Sequence, residues 1–378
     1  MCVLQSAVKE NKVVCARMLL DAGAKTYAGP ESLLAIACRD GYRQMAEMLI
    51  QYGCNESQDK EGTPLLMLLT SHPALFEMLL CKYGFDPTEV DSSGGSPLHL
   101  AAAIGSTHLV KLLLDRGVDV NCRNDKGETP LHAATDGHIG GEEHGENPPH
   151  LRAVEMLLNA GAEIDPIDCL GRTPLMCAVW YNNSAAVELL CKRGANANTV
   201  RYDSYFPLYV ASQNGNDEVV HTLLNAGAIH NMREAAESCS TALMIAAQNN
   251  NASVCQVLLS WADNDKEFLN LQDKDGITAL AGAASSGRLK IIKLLLGAGA
   301  HANIEDFYGE TPVHRAAKWN YPEVIKVLLI HGADKSIKNL QGESPLMLAA
   351  ANGHAECVRV LMGTGEDWAT DDVNKVDG

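Results

Sequence analysis

The sequence predicts an all-α solenoid, a stack of short helix–loop–helix units, and three observations predict it. First, "GGSPLHLAAAIG" (94–105) recurs as "KGETPLHAATDG" (126–137), so Ser96, Pro97, Leu98 and His99 return 33 residues later as Thr129, Pro130, Leu131 and His132. Anchored on that proline, the pattern falls at Pro64, Pro97, Pro130, Pro174, Pro207, Pro312 and Pro345, with successive spacings of 33, 33, 44, 33, 105 and 33. Second, an apolar run closed by glycine recurs at Gly23, Gly53, Gly84, Gly117, Gly161, Gly194, Gly227, Gly299 and Gly332, with four of the eight spacings again 33. A fixed period of this length marks a repeat architecture. Third, aromatic residues are only 5% of the chain while Ala and Leu abound, which suits small, closely packed helices.

Each unit can be read in order from residues 96–117. Ser96 is an N-cap whose hydroxyl accepts an orphan backbone N–H, and Pro97 suits the first helical position, where no N–H is needed. Leu98, Ala101 and Ala102 form one apolar stripe, thin enough for a neighbouring helix to approach closely. Gly105 ends this first helix. The second begins near Thr107, carries Val110, Leu113 and Leu114 on one face, and stops at Gly117, which supplies the left-handed residue beyond its end. The link "VDVNCRNDKGE" has the Asn, Asp and Gly that a tight extended turn requires. Helices this short are marginal alone, so each unit is stable only when stacked on the next. The wide gap before Pro312 is filled by "STALMIAA" (240–247) and "ITALAGAA" (277–284), where Ala242 and Ala279 replace proline.

Charge and cysteine content narrow the function. Lys and Arg total 30 against 47 Asp and Glu, a net charge of −17. Such a surface repels nucleic acid, whose binding needs basic stripes, and disfavours anionic membranes, leaving protein or peptide as the expected partner. The 12 cysteines include no C-x-x-C pair, which argues against zinc ribbons and redox motifs. Cys177, Cys191 and Cys255 fall on apolar positions and read as reduced, buried thiols. "MCVLQSAVKENK" has no apolar core of a secretory signal, and no apolar run reaches membrane-spanning length. A chain of the cytoplasm or nucleus, without direct membrane insertion and most simply a monomer, is expected.

The G-x-[ST]-P-L-H-x-A signature, the helix–loop–helix unit and the 33-residue period resemble the ankyrin repeat. The resemblance covers essentially the whole chain as about eleven units, best at 91–123, 168–200, 273–305, 306–338 and 339–371. It implies first helices lining a concave face, second helices forming a convex back, and β-turn or hairpin segments projecting as fingers. On that frame, residues 1–57 read as N-terminal capping and degenerate repeats, and 58–233 as repeats with an insert at about 137–150. Residues 234–272 form a degenerate, lengthened repeat with a bend or looser joint, 273–371 are C-terminal repeats, and 372–378 are the start of a further finger or a tail.

The sequence offers little for catalysis. The insert carries His138, His144 and His150 with Asp136, Glu142, Glu143 and Glu146, but a Gly-rich loop does not hold metal ligands rigidly, and it reads as a solvated surface segment. His99, His132 and His314 belong to the repeated signature, so bracing of adjacent fingers is expected of them, not base catalysis. "GAGAHAN" (297–303) follows a helix where a dinucleotide loop would follow a strand. No catalytic residue, metal or cofactor is expected.

What remains is surface. Family partners generally meet finger tips and the exposed positions of first helices. Trp180, Tyr181, Tyr202, Tyr205, Phe307, Tyr308, Arg315 and Trp319 stand at such positions, and aromatics and Arg dominate binding hot spots. Phe206 and Tyr209, at the usual Thr and His positions, read as packing residues. Asn121, in "LLDRGVDVN" with Leu113, Asp119 and Val120 before it, resembles an asparagine hydroxylation site of some ankyrin repeats; its primary expected role is a hydrogen bond to turn backbone. The expected function is a non-enzymatic interaction scaffold that binds a protein or peptide partner on the concave face. The alternative is a substrate-recognition adaptor of ubiquitin-ligase type, or the cytosolic array of a larger signalling or channel protein, with a SOCS box or transmembrane segment beyond Gly378.

Overall fold

The computed structural model describes residues 3–26, 31–135, 149–234, 238–262 and 265–363. The insert at 137–150, except for its last two residues, and the segment 372–378 lie outside them. The chain divides into two compact units, Met1–Tyr202 and Asp203–Gly378.

Unit 1 contains α1 (Val3–Lys9), α2 (Val13–Asp21), α3 (Leu33–Arg39), α4 (Arg43–Gln51), a 3-10 turn (Met67–Leu69) and α5 (Pro73–Lys82). It continues with α6 (Pro97–Ala103), α7 (Thr107–Asp115), α8 (Pro130–Thr135), α9 (Pro149–Asn159), α10 (Pro174–Trp180) and α11 (Ser184–Lys192). Unit 2 contains α12 (Pro207–Asn214), α13 (Asp217–Asn225), α14 (Ala242–Gln248), α15 (Ala252–Trp261), a short α16 (Lys266–Leu269) and α17 (Ala279–Ser285). After it come α18 (Leu289–Gly297), α19 (Pro312–Lys318), α20 (Pro322–Ile330), α21 (Pro345–Ala351) and α22 (Ala355–Met362). Among the described residues extended backbone pairs only as isolated bridges, Gln58 with Pro64 and Arg233 with Thr241. The fold is an all-α repeat solenoid.

First helices pack on first helices and second on second. In unit 1, α6 packs on α8 and α8 on α10, while α7 packs on α9 and α9 on α11; in unit 2 the rows run α12–α14–α17–α19–α21 and α13–α15–α18–α20–α22. The core is the predicted stripe: Leu98, Ala101, Ala102, Val110 and Leu113 are buried, and so are Val313, Ala316, Ala317, Ile325 and Leu328 two hundred residues on. The Ala positions let the first helices approach closely; the Leu and Ile positions supply the apolar area that drives stacking, about 1.5–3 kcal/mol for each fully buried side chain.

Helix ends follow the chemistry of their residues. Ser96, Thr173, Thr241, Thr278 and Ser344 each accept the backbone N–H three residues on. Gly194 has φ 89° and closes the turn after α11. Where the first helix lacks its closing glycine, Asn182, Asn250 and Asn320 take the left-handed conformation, which asparagine tolerates better than most non-glycine residues.

Two elements differ from expectation. After Pro64 the first helix shrinks to the 3-10 turn, in a unit where the next helix starts nine residues after the proline, at Pro73, and not ten as from Pro97 to Thr107. The lengthened repeat 234–272 carries a short helix of its own. The extra residues build α16, capped by Asp265 accepting from Glu267 N and Phe268 N, and bury Phe268 and Leu269. The stacking of α14 on α12 and α17, and of α15 on α13 and α18, continues past it.

Candidate functional site

The fingers are built on one side chain each. Asp91, Asn124, Asp168, Asp273, Asp306 and Asn339 use a single Oδ1 to accept the backbone N–H groups two and four residues on, closing each turn at 2.7–3.1 Å. Adjacent fingers are then tied by one backbone bond apiece: Asp125 N to Ser93 O, Cys169 N to Lys126 O and Tyr202 N to Leu170 O in unit 1; Lys274 N to Ser238 O, Phe307 N to Asp275 O and Leu340 N to Tyr308 O in unit 2.

The signature histidines add a second tie. His99 Nδ1 accepts from Ser96 N, so its proton lies on Nε2, which donates to the Glu128 carbonyl at 2.9 Å; His132 and His314 repeat this toward Arg172 O and Glu343 O. Burial holds all three imidazoles below their ordinary basicity. Ser96 Oγ lies 2.8 Å from His99 Nδ1, superficially a nucleophile and base. Yet the hydroxyl is a buried helix cap and the other ring nitrogen is spent on a carbonyl. The bracing expected of these histidines is what the geometry shows.

On this scaffold, unit 1 brings Trp180, Arg201 and Tyr202 together. Trp180, 44% exposed at the end of α10, has the Arg201 guanidinium 4.8 Å over its ring. Tyr202, 70% exposed, lies along the finger backbone at Gly171, where a Cβ would meet its ring at 3.0 Å. Tyr181 is half-buried at the α10 C-cap.

In unit 2, Tyr205 is half-buried and stacks on Tyr209 at 5.3 Å, and Phe206 meets Tyr209 edge-on at 5.7 Å. Phe206 and Tyr209 are buried, as expected of packing residues. Phe307 (66% exposed) and Tyr308 form a bare finger tip, and Trp319 is exposed at the α19 C-cap. Arg315 is different: its side chain is only 13% exposed, and Nε and Nη2 grip Asp306 Oδ2 at 3.0 and 2.5 Å. It braces the finger that carries Phe307 and Tyr308.

Sequence reasoning missed Leu340, 74% exposed and in register with Phe307, and Met347, exposed at the signature's histidine position. A 33-residue offset from Phe307 and His314 is the signal that locates them. Asn121 Oδ1 accepts from Glu163 N at 2.9 Å, a bond between repeats repeated by Asn270 to His301 N and Asn303 to Asp334 N. Cys177 and Cys255 are buried and Cys191 half-buried; burial pushes the Cys255 thiol to about 12 and Cys191 to about 11. Among the described residues no group of His, Cys, Asp or Glu could hold a metal, and no helix is long and apolar enough to cross a membrane. His138 and His144 of the insert lie outside them.

Family comparison decides the lineage. A family model described as "Ankyrin repeats (3 copies)" matches residues 66–141, 145–234, 208–306 and 243–339, and one described as "Ankyrin repeat" matches 341–377. The chain belongs to the ankyrin-repeat family. Among curated relatives, the B-cell lymphoma 3 protein homolog of Mus musculus is 36% identical over 172 residues, covering 44% of this ankyrin-repeat chain and 36% of the relative. Ankyrin repeat and SOCS box protein 16 of Mus musculus is 31% identical over 215 residues, covering 56% of this chain and 47% of the relative. Ankyrin repeat and KH domain-containing protein mask-1 of Caenorhabditis elegans is 30% identical over 304 residues, covering 78% and 11%. The ankyrin-repeat chain thus spans less than half the length of each of these relatives.

Proposed function

We propose that this ankyrin-repeat chain is a non-enzymatic scaffold that binds a protein or peptide partner on its finger tips and the exposed ends of its first helices. The observation that carries the reading is the exposed aromatic set held on braced fingers: Trp180 and Tyr202 in unit 1, Phe307, Tyr308 and Trp319 in unit 2. Large apolar rings kept in water on stiff backbone lose little entropy when covered. Tyr181 and Tyr205 contribute at the half-buried margins, and Arg315 acts through the finger it holds. Asn121 is a hydroxylation site in this reading, reached when its bond to Glu163 opens.

The test is capture of partner by the whole chain, identified by mass spectrometry, against Trp180→Ala/Tyr202→Ala and Phe307→Ala/Tyr308→Ala variants. Loss of the same partner from either variant, with helicity unchanged, supports the surface; retention by both removes it. A second reading makes the chain the recognition array of a longer adaptor or channel protein. It is favoured by the similarity to a SOCS box protein and to transient receptor potential cation channel subfamily A member 1 of Homo sapiens, 29% identical over 253 residues.

A further inference from the structure

The outer side of unit 2 carries a charge pattern opposite to that of the whole chain. From Gly276 to Ile304 there is no Asp or Glu, yet Arg288, Lys290 and Lys293 fall within that stretch of a protein whose net charge is −17. In α18, Ile291, Ile292, Leu295 and Leu296 are buried, so Lys290 and Lys293, one helical turn apart, share the opposite face and are exposed. Neither lysine forms an ion pair among the described residues. Arg288 Nε is buried without a hydrogen-bond partner.

The flanking helices leave this charge uncompensated. α15 packs on one side of α18 and α20 on the other. No charged residue occurs in α15. In α20, Glu323 is closed onto its own Lys326 at 2.7 Å. Beside the cations stand two apolar side chains, Trp261, which also meets the His221 ring edge-on at 6.3 Å, and Ile330. Trp261 ends α15 and Ile330 ends α20, both exposed. Gly297, in register with Ile330, is open: a Cβ there would meet nothing within 4 Å.

We propose that this second-helix face of unit 2, centred on α18, docks an acidic, leucine-bearing segment of a partner protein. Its carboxylates meet Arg288, Lys290 and Lys293, and a leucine lies over Gly297 beside the exposed Trp261 and Ile330. The reach of electrostatics selects this occupant. At physiological salt, charges interact over about 8 Å, so a short acidic segment feels the local cations. A nucleic acid or an anionic bilayer would extend over the surrounding acidic surface and be repelled. The face is separate from the finger tips, so the inference does not rest on the proposed finger-tip function.

The experiment is fluorescence anisotropy of a dye-labelled synthetic peptide, Asp-Glu-Glu-Leu-Leu-Asp-Glu-Leu, with the full chain at low ionic strength. The same peptide with Lys at every acidic position is the control. Saturable binding of the acidic peptide alone is expected, weakened roughly tenfold or more by Lys290→Glu/Lys293→Glu and by high salt, and unchanged by Phe307→Ala/Tyr308→Ala. Both lysines are exposed, and circular dichroism checks that the double variant keeps its helicity. Any of three results overturns the proposal: no binding of the acidic peptide, equal binding to the double variant, or capture of phosphatidylserine vesicles or duplex DNA through these lysines where the peptide fails.

Discussion

Arg315→Met isolates the clamp that holds the aromatic finger of unit 2. In the native protein the Asp306 side chain is fully buried; Oδ1 accepts from Tyr308 N and Glu310 N, and Oδ2 is held by Arg315 Nε and Nη2. Methionine preserves most of the side-chain volume but leaves Oδ2 dry and without its partner. Removing one partner of a buried pair costs about 3–5 kcal/mol. The two surviving bonds to Oδ1 keep the carboxylate partly satisfied, so the lower end, about 3 kcal/mol, is expected. A repeat array need not unfold in one step, so the assay joins urea denaturation, followed by circular dichroism, to hydrogen exchange of the peptide spanning 304–316. Exchange should accelerate there first. Asp306→Asn removes the charge, so the double variant should recover much of the loss and give a coupling energy of about 2 kcal/mol or more. A loss under about 1 kcal/mol for Arg315→Met, or strict additivity of the two changes, would refute the clamp.

The other predictions concern acid, backbone and modification. Burial depresses His99, His132 and His314 below their ordinary 6.5, so the unfolded chain binds more protons than the folded one as pH falls past that value. The histidine contribution to stability is complete above about pH 6.5 and is lost as pH drops through the folded-state values. Urea midpoints measured from pH 7.5 downward should show this decline, and His132→Gln should lower the proton uptake on unfolding near pH 6. Gly194→Val meets no atom within 4 Å but must adopt φ near 89°, which costs about 1–2 kcal/mol; an unchanged melting profile would contradict the cap. Mass spectrometry of protein expressed under normoxia should find one added oxygen on the peptide containing Asn121, and Asn121→Ala should abolish it.

The regular framework was legible because its causes are local. Ser or Thr before Pro, small residues on the first-helix stripe and a left-handed glycine each act within a few residues, so Ser96, Ala101 and Gly117 could be assigned by pattern alone. The packing role of Phe206 and Tyr209 was legible for the same reason: they replace signature residues whose side chains point inward. What escaped depends on neighbours across a repeat. Arg315 looks like a hot-spot arginine in sequence, and only the fold turns it back onto Asp306, nine residues earlier. The finger-closing Asx positions look like ordinary turn polarity until their paired N–H bonds are seen. α16 escaped because Phe268 and Leu269, which it buries, lie in residues added to the 33-residue pattern. The lone-sign stretch around α18 stands in the sequence, but only the fold shows that Lys290 and Lys293 are unpaired among the described residues and share one exposed face.

The fold depends on units that cannot bury their apolar stripes alone. The most direct measurement is the helicity and urea denaturation of excised segments 306–338, 273–338 and 240–363. Stacking predicts that the single unit 306–338 is unfolded, that the two-unit piece is marginal, and that the longest melts cooperatively with native-like helicity. A single excised unit that stays helical and melts cooperatively would contradict the account.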